Sequence, residues 1–274
     1  DGIFKSTDGG KSWSSLTITT SKIQAYDSLY DYVNRIQVDP TNGDIYAVLA
    51  SYIARSKDGG NTWFDWRHLE IWAAQLSYLG EGNLSTADHA FRYFSSDYGR
   101  TWPVKIPEQL CSCGKQYGDF DREGYAAVDY DAKGNAVKIF SLGFHYEAGD
   151  GDWPAGHATG RVRSSIDGGR TWQHRSVILE RTVNPVQTNH LRLSRAADGT
   201  LLAYGQRDQN QVTAEGRKRL SCTATLCRSV DNGKTWSAPE LVPFEVPGPY
   251  EISNPIVVTN DGRWLAPTAT FHNG

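Results

Sequence analysis

Three short runs bring together residues suited to acid/base and anion chemistry: Asn189-His190, Arg207-Asp208 and Tyr250-Glu251. An arginine fork grips a planar carboxylate through two parallel, charge-assisted hydrogen bonds, which makes Arg207, and Arg35 far upstream, candidate anion-binding groups. Asp208 and Glu251 supply carboxylates and His190 an imidazole, the groups that exchange protons with a reacting substrate. A tyrosine nucleophile needs a neighbouring base, and Tyr250 has Glu251 beside it. Neighbours along a strand point to opposite faces, however. Glu251 is therefore the acid/base candidate and Tyr250 a substrate contact. His190 reads equally as a packed polar residue.

Glu123 ends an acidic run, Gly118-Asp119-Phe120-Asp121-Arg122-Glu123-Gly124. Alternating carboxylates before a glycine look like a calcium loop, but the closing position holds Tyr130 instead of the glutamate such loops need. No metal is assigned, and the run is either a solvated acidic loop or the source of one site carboxylate, Glu123. His145-Tyr146-Glu147 and Asp150-Gly151-Asp152-Trp153, with His157, form a polar and aromatic stretch of the kind that stacks sugars, or an ordinary surface loop. His145 is its candidate contact. The four cysteines, Cys111, Cys113, Cys222 and Cys227, lack zinc spacing. A Cys222–Cys227 disulfide and free thiols are both open.

Composition narrows the function classes. The 274 residues are 39% hydrophobic and 22% charged, which excludes wholesale disorder. With 28 Lys and Arg against 31 Asp and Glu the net charge is −3, so no broad basic surface awaits nucleic acid or an anionic membrane. No run approaches the ~18 apolar residues of a spanning helix. A chain of this length buries enough surface to need no metal or disulfide to hold its core together, and no cofactor is expected. No phosphate-binding loop, dinucleotide fingerprint or hydrolase elbow is present. The chain lacks methionine and opens at Asp1, which predicts a fragment or processed piece; a secreted or periplasmic setting is favoured.

The elements that must position these residues follow from a repeat. Ser-x-Asp-x-Gly-x-Ser/Thr-Trp occurs five times, at Ser6–Trp13, Ser56–Trp63, Ser95–Trp102, Ser165–Trp172 and Ser229–Trp236. Its chemistry is that of a tight turn: the aspartate accepts from backbone amides two residues on, glycine takes positive φ, and tryptophan buries its face on a neighbouring strand. Before each motif the apolar/polar alternation predicts a short strand preceded by a hairpin, such as 35–39 turning into 45–48, or 191–195 turning into 201–204. Each unit is thus a four-stranded meander with the motif between strands three and four, and radial repetition of such sheets makes a β-propeller. In that layout the loops leading into the innermost strands share one face with the strand-two-to-three connections, 145–160 and 206–220, both expected to be long irregular loops. Arg35, Glu123, His190 and Glu251 lie where such loops meet innermost strands.

The repeats resemble the Asp boxes, or BNR repeats, of the sialidase (neuraminidase) superfamily. Asp198-Gly199-Thr200-Leu201-Leu202-Ala203-Tyr204-Gly205-Gln206-Arg207 is similar to the first hairpin of a sialidase blade, and Asn34-Arg35-Ile36-Gln37 to the family's Tyr-Arg-Ile-Pro motif without its Tyr and Pro. The resemblance implies an all-β propeller, six-bladed when complete. Residues 1–274 would cover about five blades as a single domain cut at both ends, with four full blades and two halves. It also implies a glycoside hydrolase that removes a terminal acidic sugar such as sialic acid. Glu123, Glu251, Asp208 and His190 are the catalytic candidates, with Arg35, Arg207, His145 and Tyr250 holding a carbohydrate or glycoconjugate substrate. The alternative is a non-catalytic propeller binding glycan or protein, as sortilin-like members of the repeat class do.

Overall fold

The computed structural model describes residues 4–8, 12, 14–15, 33–49, 52–69, 75–88, 91–107, 125–146, 158–179, 186–213, 216–242, 250–251, 255–258, 264–265 and 269–270. Every regular element among them is a strand, so no helix there is long and apolar enough to cross a membrane.

Four antiparallel sheets of four strands carry the fold, each a meander in chain order. The first is built from Val33–Val38, Ile45–Leu49, Tyr52–Ser56 and Phe64–His68. The second comprises Gln75–Gly80, Asn83–Ala87, Phe91–Ser95 and Val104–Pro107. Tyr125–Tyr130, Ala136–Tyr146, Ala158–Ser165 and Gln173–Leu179 form the third. The fourth consists of Val186–Arg195, Leu201–Thr213, Gly216–Ser229 and Glu240–Val242. Near the start, Phe4–Lys5 pairs with Ser14–Ser15; near the end, Tyr250–Glu251 pairs with Ala269–Thr270 and Val257–Val258 with Trp264–Leu265.

One connection differs from expectation. The stretch 206–220 is largely strand: Leu201–Thr213 and Gly216–Ser229 stay paired from Leu201↔Ser229 out to Thr213↔Gly216. Its polar composition suggested a loop because the outer half of a long hairpin has no apolar face to show. The stretch 145–160 likewise begins and ends in strand, at Ala136–Tyr146 and Ala158–Ser165; residues 147–157 lie outside the described set.

The repeated motif joins the third and fourth strands of all four sheets, and its hydrogen bonds explain its composition. The Ser56 hydroxyl donates to Asp58 Oδ1 (2.9 Å) while its oxygen accepts from the Gly60 amide (2.8 Å). The Thr62 amide (2.8 Å) and hydroxyl (2.6 Å) then donate one to each oxygen of Asp58. Asp97, Asp167 and Asp231 are held in the same way by Thr101, Thr171 and Thr235. The amide that reaches the aspartate is thus chiefly four residues on, not two. Two successive left-handed residues curl the chain back to it: Gly59 and Gly60 at φ 68° and 91°, and Gly168 and Gly169 at 73° and 92°. Tyr98 and Asn232 occupy the first of these positions at 64° and 62°, which asparagine tolerates and a bulky side chain does not. Tyr98 has a packing reason to be there, since the Arg55 guanidinium lies 3.9 Å from its ring centroid.

These turns predict an acid limit. Hydrogen bonds from the Thr62 hydroxyl and amide hold Asp58 down at about 2. Burial pushes Asp167 up, but donation by Thr171 and Ser165 outweighs it and leaves it at about 2. A carboxylate with a depressed folded-state pKa contributes stability above its unfolded value and loses it as pH falls through the folded one. The melting temperature is expected to stay level down to about pH 4 and to drop between there and about pH 2. A fall already complete by about pH 5 would assign the acid lability to other groups.

Two compact units divide the chain, one of residues 1–108, 128–139 and 165–171, the other of 109–127, 140–164 and 172–274. In the first, Tyr46, Val48, Ile53, Leu76, Tyr78 and Leu84 form the core, and the first strands of sheets one and two lie side by side. In the second, residues 201–206 of the strand Leu201–Thr213 are buried on both faces. Leu201 and Ala203 pack with Phe140, Leu142, Val162 and Leu191, while Leu202 and Tyr204 pack with Ala224, Leu226 and Ile256. Each such leucine contributes about 1.5–3 kcal/mol. The inner part of this strand therefore packs on residues of the third sheet on one face and on Ile256 on the other.

Candidate functional site

The fourth sheet carries three of the candidates, His190, Arg207 and Asp208. Arg207 sits mid-strand, opposite Thr188 on one side and Thr223 on the other, and Asp208 sits between Gln187 and Cys222. Arg207 is thus part of a continuous ladder; the sequence placed it at the mouth of a loop. His190 falls in the only register shift of the first ladder, between Asn189↔Gln206 and Arg192↔Tyr204. An extra residue there re-aims the local backbone, a device common beside binding sites. The strand Tyr250–Glu251 packs along Gly216–Ser229, with Glu251 paired to Ala269. His190, Arg207, Asp208, Tyr250 and Glu251 therefore belong to one compact unit, on neighbouring strands.

The other candidates stand apart. His145 lies at the end of Ala136–Tyr146 in the same unit. Arg35 belongs to the first unit, where it pairs with Val48 beside a register shift and is half-buried. Glu123 and the acidic run that contains it lie outside the described residues, as do Cys111 and Cys113. Cys227 is a free, buried thiol whose pKa burial pushes up to about 11, so it is neither a nucleophile near neutrality nor bridged to Cys222. Among the described residues no three His, Cys, Asp or Glu converge as metal ligands.

Arg192 escaped the sequence reading. It is only 3% exposed, two residues beyond His190, and its Nη1 donates to the Leu191 carbonyl at 3.3 Å. An arginine between Leu191 and Leu193 on a buried strand is costly unless its charge is used. That flanking pattern was the available signal.

A second polar cluster tests as structural. In the first unit Arg55 is paired with Asp44, Nε donating at 2.9 Å, and the Tyr78 hydroxyl donates to Asp39 Oδ2 at 2.5 Å. Burial and the Asp39 bond push Tyr78 up to about 12, while Asp39, raised by burial but held by Thr41 and Tyr78, ends below the usual carboxylate range. Neither group is poised to move a proton near neutral pH. The cluster ties the first hairpin turn to the second sheet.

Comparison with known proteins fits this picture. No protein-family profile matches the chain. The chain is 29% identical to a sialidase of Micromonospora viridifaciens over 187 residues, which is 62% of this chain and 26% of that protein. It thus spans about a quarter of the length of the curated relative it matches. Among solved structures it is similar to a Dyadobacter fermentans protein of unknown function, with a TM-score of 0.53 and 15% identity, over 84% of this chain and 72% of that one. The chain is all-β with four four-stranded antiparallel sheets, and its sequence relative is a carbohydrate-active enzyme.

Proposed function

We propose that the chain is part of a sialidase-superfamily glycoside hydrolase that releases a terminal acidic sugar such as sialic acid. The observation that carries this reading is its likeness to a sialidase over 187 residues. The four meanders would be blades of one propeller, with the repeated turns as its Asp boxes and the terminal strand pairs as parts of further blades. Substrate would lie at the outer half of the fourth sheet and the strand Tyr250–Glu251. Arg207 would hold the sugar carboxylate with its planar fork, with His145 and Tyr250 against the ring. Glu251 would act as acid/base, with Asp208, His190 and Glu123 as the further proton-transfer groups. No cofactor enters this chemistry.

Arg207→Lys tests the anion contact. Lysine keeps the charge but loses the fork, so affinity for a sialic-acid ligand should fall about tenfold or more. Binding of a neutral analogue lacking the carboxylate should change little, as titration calorimetry would read. Equal losses for both ligands would remove Arg207 from carboxylate recognition. Wild-type protein that binds such ligands but never turns over an aryl sialoside would favour the non-catalytic glycan-binding alternative.

A further inference from the structure

Within the first unit a cleft of about 530 Å³ opens between the second sheet and the fourth repeated turn. That volume is in the range of small-molecule sites, about 300–1,000 Å³. Half of its lining residues are apolar, Leu79, Phe94, Pro103, Val104, Ala136 and Ile166, and most of the others are polar. The packing is close, since a Cβ on Gly168 would meet Leu79 Cδ1 at 3.2 Å. Ile166 is nonetheless 74% exposed and Val104 43% exposed. At the turn position of Ile166 three other repeats carry the polar Thr7, Lys57 and Ser96, while the fifth carries Val230, 86% exposed.

Charge gives the ligand its second feature. The Arg170 guanidinium, which also lines the cleft, is stacked 4.4 Å from the Phe94 ring centroid, and Nη1 donates to the Asp167 carbonyl at 3.2 Å. It has no carboxylate partner among the described residues. The stack holds the guanidinium plane while leaving its other N–H groups available. Asp167 also lines the cleft, but its two oxygens already accept from Ser165 and from the Thr171 amide and hydroxyl. The exposed Ser96 hydroxyl adds another donor at the rim. Free donors therefore face a cleft with an apolar side.

We propose that this cleft binds a small organic acid with an apolar body, its carboxylate on the Arg170 fork and its body against Leu79, Phe94, Val104 and Ile166. The site is separate from the sugar-binding residues proposed above and does not depend on them.

Calorimetric titration of the chain with hexanoate and phenylacetate, against hexanol and 2-phenylethanol, tests it. Both acids should bind saturably with Kd of about a millimolar or tighter. The matched alcohols should bind about tenfold or more weakly, for want of the charge-assisted bonds. Arg170→Gln should erase the preference for the acids, and Val104→Asp should weaken both acids by a similar factor. Arg170 and Val104 are exposed, so melting temperatures should match the parent. Arg207→Lys should leave this binding unchanged, which separates it from sugar recognition. No saturable heat with either acid, equal affinity for acid and alcohol, or acid binding unaffected by Arg170→Gln would each overturn the proposal.

Discussion

Trp63→Ala is expected to destabilise the protein by about 3–5 kcal/mol, the usual cost of emptying a buried tryptophan site. Trp63 is 4% exposed, and its Nε1–H donates to the Gly60 carbonyl at 3.0 Å, so both its packing and its tie across the repeated turn would be lost. Trp172, 7% exposed with the Arg163 guanidinium 4.2 Å from its ring centroid, should behave alike. Chemical denaturation would read the loss as a lower midpoint with an unchanged slope. Ligand affinity of the protein that remains folded should not move, because the turns brace the sheets. Full stability combined with lost sugar binding would place the repeated turns at the functional site and defeat the layout proposed here.

Glu251→Gln is expected to lower turnover of an aryl sialoside by about 10²–10⁴-fold, the contribution of a positioned general acid or base. The amide is nearly the same size as the carboxylate but carries no titratable proton, so affinity should hold while kcat falls. Glu251 pairs through its backbone with Ala269, a contact that the substitution preserves. A matching melting temperature would therefore certify the fold. Turnover within about threefold of the parent would remove Glu251 from proton transfer and turn attention to Asp208 and His190.

Local chemistry made much of the fold legible. Asp, Gly, Ser, Thr and Trp at fixed spacing must form the same turn wherever they occur, and period-two alternation marks the strands that flank it. The apolar runs Ile45–Leu49 and Leu201–Tyr204 announce strands buried on both faces. What misled was polarity. Residues 206–220 alternate poorly, yet their backbone stays paired in the ladder out to Thr213↔Gly216. Tyr98 gave no sign of left-handed backbone, since the spacing of Asp, Gly and Thr imposes it and a tyrosine does not favour it, unlike Asn232 at the equivalent position. For the site, residue types were readable and register was not. The shift between Asn189 and Arg192 that offsets His190, and the burial of Arg192, depend on strand pairing across the whole fourth sheet. Arg35 and Glu251 looked equivalent as loop-to-strand residues, yet they belong to different compact units.

The central claim is that an acidic sugar binds at the outer fourth sheet and its neighbouring strand. Backbone amide shift mapping of the chain during titration with a sialic-acid analogue tests it most directly. The predicted result is saturable perturbation centred on residues 186–190, 206–213 and 250–251, lost for a neutral analogue. Perturbation centred instead on the repeated turns at 57–62, 96–101, 166–171 and 230–235, or none at all, would contradict it.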